Sequence, residues 1–165
     1  MNKIIIILAL TSWSLNAQIN SKIEGITINS PCELEYARNL GNQNNYACVS
    51  QDSSEKIIQY SVTVQNLFED MKGLNERTLK TYKDQFFLKT KEIAESNGET
   101  TTSIELINGQ KALSIKSELT YSGHKFVNTS ILFLYKQKSF IVNLTTNNLN
   151  RKNVIKDLTN RIIFK

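Results

Sequence analysis

Ile57-Ile58-Gln59-Tyr60-Ser61-Val62-Thr63-Val64 decides how this chain is built. In an extended segment Ile58, Tyr60, Val62 and Val64 fall on one face, and Gln59, Ser61 and Thr63 fall on the other with Ile57. Successive strand side chains point to opposite faces, so period-two alternation predicts a strand buried chiefly on one side. A second stretch, Ile131-Leu132-Phe133-Leu134-Tyr135, is apolar at every position. It predicts a central strand covered on both faces.

Toward the C-terminus the pattern is a meander. Ile104-Glu105-Leu106-Ile107 meets Asn108-Gly109, the strongest two-residue hairpin signal. The return strand, Lys111 to Tyr121, places Leu113, Ile115, Leu119 and Tyr121 on one face. Ser122-Gly123 turns the chain into Phe126–Tyr135, and Lys136 to Ser139 turns it again into Phe140–Thr145. Asn147 or Asn148 then starts a closing helix with the stripe Val154, Ile155, Leu158 and Ile162. Toward the N-terminus lie a polar turn at Asp52 to Glu55, strands at Tyr46–Val49 and Cys32–Tyr36, and an opening strand at Ile23–Asn29 ended by Ser30-Pro31.

Between the two groups of strands, Asn66 to Gly73 is a connection with one helical turn. Asn75 then caps a helix running to about Ser96, and Asn97-Gly98 is its stop. Leu79, Tyr82, Phe86, Ile93 and Ala94 recur at helical spacing; Phe87 and Leu88 widen the stripe, which reads as core. The fold class is α+β: one domain, residues 18–165, with a mainly antiparallel sheet covered by a long central helix and a C-terminal helix. There is no internal repeat or low-complexity linker.

Residues 1–17 read as a cleavable secretory signal. Lys3 is the positive region, Ile4 to Leu10 the apolar one, and Leu15-Asn16-Ala17 ends in a small residue before Gln18. A bilayer span needs roughly 20 apolar residues, and this run is broken by Thr11, Ser12 and Ser14. No later stretch reaches that length, so no membrane span is expected after removal of the signal. The protein is expected in the periplasm or outside the cell. Of 165 residues about 148 remain, an ordinary size for one domain. Loss of Lys3 lowers the formal charge from +5 to +4. The cations are scattered, which favours solubility and does not indicate a nucleic-acid partner. Trp13 is the only tryptophan and leaves with the signal.

Cys32 and Cys48 are the only cysteines. Export puts them in an oxidising compartment, so a disulfide is expected, closing a hairpin around the turn-rich Leu40-Gly41-Asn42-Gln43-Asn44-Asn45. Free or intermolecular thiols are the alternative. A metal pair is disfavoured by the spacing and by the presence of a single histidine.

The chemistry-bearing residues are few. His124, in Ser122-Gly123-His124-Lys125, reads as a solvated hairpin residue; its functional alternative is a lone general base. Glu33 and Glu35 sit two apart on a strand, and Glu69-Asp70 are adjacent. A hydrolase needs two carboxylates across a cleft, and neither pair is specific for that. No phosphate-binding, dinucleotide or nucleophile-elbow motif is present, and no cofactor or metal is expected. Asn128-Thr129-Ser130 and Asn143-Leu144-Thr145 match the glycosylation acceptor pattern but fall inside strands.

Ile26-Thr27-Ile28-Asn29-Ser30-Pro31, Tyr60-Ser61-Val62-Thr63-Val64 with the long helix after it, Asn108-Gly109-Gln110-Lys111-Ala112-Leu113, and a last strand running into a closing helix together resemble the PsbP-like superfamily. The resemblance is topological and implies a small antiparallel sheet covered by helices, in proteins that bind or assemble rather than catalyse. No functional residue is transferred by it. Cystatin-like and nuclear-transport-factor-like folds are the competing α+β architectures. The expected function is an exported, non-catalytic protein that binds a partner protein or a cell-envelope component. The alternatives are an inhibitor of a protease or toxin acting through Leu40 to Asn45, and a hydrolase using the carboxylates or His124. Mass spectrometry of exported protein should give an N-terminus near Gln18; a retained Met1 would refute the signal assignment.

Overall fold

The computed structural model describes residues 18–51, 57–96, 100–150 and 153–164. The segment 1–17 expected as a signal, the expected polar turn at 52–55 and the expected helix stop at 97–98 lie outside the described residues. The elements are β1 (Ile19–Ile23), β2 (Ile26–Ser30), β3 (Glu35–Leu40), β4 (Gln43–Gln51), β5 (Ile57–Asn66), α1 (Phe68–Met71) and α2 (Glu76–Ser96). They continue with β6 (Thr100–Ile107), β7 (Gln110–Tyr121), β8 (His124–Tyr135), β9 (Lys138–Thr146), α3 (Val154–Asn160) and β10 (Ile162–Phe164).

Seven strands form one antiparallel sheet in the order β3-β4-β5-β9-β8-β7-β6. Two meanders, β3-β4-β5 and β6-β7-β8-β9, are fused side by side where β5 pairs with β9, from Ile58↔Thr146 to Asn66↔Lys138. A smaller antiparallel sheet, β1-β2-β10, joins the start of the described chain to its end.

The alternation in β5 becomes a division between core and surface. Tyr60, Val62 and Val64 are buried with Ile131, Phe133, Phe140, Val142 and Leu144, and Ile23, Ile26 and Ile28 of the small sheet and Leu158 of α3 complete that cluster. Phe133 and Phe140 stack with centroids 5.2 Å apart, and Phe164 of β10 meets Phe133 edge-on at 5.3 Å. The opposite face carries Leu113, Leu132 and Leu134, packed with Phe87 of α2 and with Leu67 and Met71. So β8 is apolar on both faces because both are covered, as its sequence requires.

The position of α2 follows from connectivity. β5 ends in the middle of the sheet and β6 begins at its far edge, so the link lies over the β6–β9 half. Asn75 caps α2: its side-chain oxygen accepts the Thr78 amide at 3.0 Å, and its carbonyl accepts the Leu79 amide at 2.8 Å. Phe87 is the one fully buried side chain of the helix; Leu79, Tyr82 and Phe86 are half-buried. Leu88 and Ile93 are 55% and 66% exposed, so the apolar stripe is only partly core. Over β4 and β5 the same sheet face bears Asn45, Ser61 and Thr63, linked by Thr63→Asn45 and Asn143→Ser61 hydrogen bonds at 2.8 and 3.2 Å.

Three boundaries differ from expectation. Ile23–Asn29 is not one strand: Glu24 and Gly25 take φ of 47° and 99°, a two-residue hairpin turn between β1 and β2. The closing helix begins at Val154 and ends at Asn160, and Ile162 sits in β10, where it pairs with Ile28. The β3–β4 turn is confined to Gly41 and Asn42, and Leu40 and Gln43 to Asn45 are paired in strands. Replacing Phe133 by Ala should lower stability by about 3–5 kcal/mol in urea unfolding, because its ring has close neighbours on two sides.

Candidate functional site

The residues singled out for chemistry do not converge. His124 opens β8 beside the Ser122-Gly123 turn and is exposed, as a solvated hairpin residue should be. Glu33 precedes β3 and Glu35 opens it, both exposed, so the two do not share one strand face. Glu69 and Asp70 lie on α1; Glu69 pairs with Lys72 at 3.8 Å, and Asp70 faces Tyr82, whose phenol is raised by burial and then by the Asp70 charge. Among the described residues no three His, Cys, Asp or Glu side chains are grouped to hold a metal.

The Cys32–Cys48 disulfide is present, with Cα atoms 5.9 Å apart. Its setting differs from the expected hairpin. Cys32 lies outside any strand, just after β2, and Cys48 is in β4 opposite Tyr60. The bond therefore staples the small sheet to the large one. Ser30 donates to the Cys32 carbonyl at 2.7 Å, and the Leu34 amide donates to the buried Ser21 hydroxyl at 3.0 Å, fixing the crossing chain. A loop of this length is worth about 3 kcal/mol in the chain-entropy account.

A second tie was not legible in the sequence. Glu24, at the β1–β2 turn, reaches the large sheet: its carboxylate accepts from Lys138 Nζ at 2.7 Å, Asn44 at 2.8 Å and the Tyr46 hydroxyl at 3.2 Å. The Glu24 and Lys138 side chains are 20% and 30% exposed. Burial pushes the Glu24 carboxyl up, but the Lys138 and Asn44 hydrogen bonds, the Lys138 charge and the Tyr46 hydroxyl outweigh it and hold the group below its ordinary 4.5. Tyr46 is raised by burial and then by the Glu24 charge. The only sequence signal was Gly25 after a charged residue inside an apolar run.

Two concavities flank the β6–β9 half of the sheet, one on each face. A cleft of about 730 Å³ opens between α3 and the strands, with Val127, Thr129 and Thr146 from the sheet and Val154, Ile155 and Thr159 from the helix. Glu105, Lys116 and Lys156 also line it. Thr129 and Thr146 are each 1% exposed, and the Thr146 hydroxyl accepts the Asn148 amide at 3.0 Å. The second, about 810 Å³, lies between the first half of α2 and the start of β7. Both are within the usual range of ligand sites.

No family model matches the chain, and no curated protein matches it in sequence. Among solved structures it is similar to a protein from Bacteroides thetaiotaomicron, at 10% identity and a TM-score of 0.50 over 86% of this chain. The chain spans less than half of that protein, 45% of its length. It is also similar to PA94 of Pseudomonas aeruginosa, a protein of unknown function, at 10% identity and a TM-score of 0.46, over 78% of this chain and 82% of that one. The first likeness is one of fold alone.

Replacing Glu24 by Gln should cost about 1–2 kcal/mol at pH 7, since Lys138 keeps its charge and loses its ionic partner. A carboxyl held below its unfolded value stabilises above that value, and the benefit fades as pH falls through the lower folded value. The gap between wild type and E24Q in urea midpoints should therefore be full near neutrality and close below about pH 4.5.

Proposed function

We propose that this chain is an exported accessory protein that binds a partner protein or a cell-envelope component through the cleft beneath α3, without chemistry of its own. The observation that carries this reading is the floor of that cleft. Thr129 is 1% exposed and lines the cavity beside Thr146, also 1% exposed, so the floor is a pair of nearly buried threonines set among apolar walls. Around this floor Val127, Val154 and Ile155 offer apolar contact, while Glu105, Lys116 and Lys156 offer charges of both signs. Such a lining suits a polar ligand or an inserted loop of mixed character.

Export is supported by the short apolar leader and by the Cys32–Cys48 bond, which oxidising compartments maintain. No helix among the described residues is long and apolar enough to cross a membrane. The resemblance of the sequence to PsbP-like proteins favours an accessory role. Most of Leu40 to Asn45 is paired in β3 and β4, so an inhibitor reading would rest on the hairpin tip at Gly41 and Asn42.

A photo-cross-linking residue in place of Leu149, an exposed cleft residue, should give a discrete adduct in the envelope or secreted fraction. The same residue in place of Leu74 should give none. The adduct should disappear when Thr129 is also changed to Trp, which fills the cleft. Adducts at both positions, or an adduct insensitive to Thr129→Trp, would overturn the reading.

A further inference from the structure

The groove on the opposite face of the sheet has a different character. Its apolar floor is Phe87, 5% exposed, Leu134, 7% exposed, and the half-buried Leu79. Its rim is basic: Arg77, Lys80 and Lys83 project from successive turns of α2, and Lys111 comes from β7. Lys111 is already neutralised, with Nζ 3.0 Å from Asp84 and 5.4 Å over the Phe87 ring. Arg77, Lys80 and Lys83 make no ion pair among the described residues. Glu76 is the one remaining rim acid, so the groove keeps an excess of two positive charges.

We propose that this groove is a second binding site, independent of the cleft beneath α3, and that it takes a medium- or long-chain carboxylate. An alkyl chain would cover Phe87, Leu79 and Leu134, and the carboxylate would lie between Lys80 and Lys83, with Arg77 contributing field. A bare inorganic anion would leave the half-buried Leu79 and the open edges of Phe87 and Leu134 uncovered, and a cationic amphiphile would meet the lysines. Charge complementarity thus selects the headgroup and the floor selects the tail. A cavity of about 810 Å³ accommodates a chain of this kind.

The test is isothermal titration calorimetry with decanoate, acetate, inorganic phosphate and decyltrimethylammonium. Decanoate should bind saturably at one site per chain, with the other three at least about tenfold weaker. The double variant K80E/K83E should lower decanoate affinity about tenfold or more, and K80R/K83R should hold it near the parent value. Both pairs of substitutions fall on exposed helix positions, so circular dichroism spectra of the variants should match that of the parent. Equal binding of decanoate and decyltrimethylammonium, phosphate binding as tight as decanoate, or unchanged affinity in K80E/K83E would each overturn the proposal. Thr129→Trp should leave decanoate binding unaltered, which separates this site from the α3 cleft.

Discussion

The pairing of β5 with β9 is the constraint on which the rest of the structure depends. It fuses two separate meanders into one seven-stranded sheet, and it joins residues far apart in sequence, such as Ile58 and Thr146. Once β5 is central, the chain leaving it has to cross the sheet to reach the outer strand β6. That crossing is α2. Through Phe87 the helix packs on Leu113, Leu132 and Leu134, and the two-sided apolar pattern of β8 answers to it. Over β4 and β5 the same face carries Asn45, Ser61 and Thr63 with the exposed Val49 and Ile57, and among the described residues no element crosses it. The half-buried polar network of Asn143, Ser61 and Ser130 runs between the two regimes.

Much of this was legible before any coordinates. Alternation in Ile57–Val64 and its absence in Ile131–Tyr135 report one covered face and two, and both readings hold at the level of single residues. Asn75 was recognisable as a cap because its short side chain competes for the first free amides of a helix. Asn108-Gly109 was recognisable because both residues accept positive φ, and both show it. What failed had a physical reason in each case. The hairpin at Glu24-Gly25 was hidden because Glu rarely adopts positive φ. The terminal helix was read as too long because Ile162 continues the helical spacing, and only pairing with β2 pulls it into a strand. Ile93 fits the stripe of α2 yet lies exposed, since periodicity shows that a face is apolar and not how far its cover extends.

The candidate sites were less legible than the fold, for a reason of locality. A disulfide between two sheets, a carboxylate reaching two strands of the large sheet and a cleft between α3 and four strands are all products of long-range assembly. The sequence identified Cys32 and Cys48 as partners but not what they join. It pointed to His124, Glu33 and Glu35 because residue type alone suggested chemistry, and the fold leaves them dispersed. Thr129 attracted attention only as part of a glycosylation pattern; its place on the cleft floor comes from β8 passing beneath α3.

The small sheet has a consequence for the order of events during biosynthesis. β2 is flanked by β1, its immediate neighbour in the chain, and by β10, which closes a loop of more than a hundred residues. Loop closure of that length is slow compared with hairpin formation. The N-terminal hairpin must therefore wait, with one edge of β2 open, until Ile162–Phe164 has emerged. An unsatisfied strand edge is a site for mispairing. The disulfide and the Glu24 network act on this hairpin from the side of the large sheet, so they can hold it in place before its last strand arrives. In that light the two ties are guides for assembly as well as staples of the finished molecule.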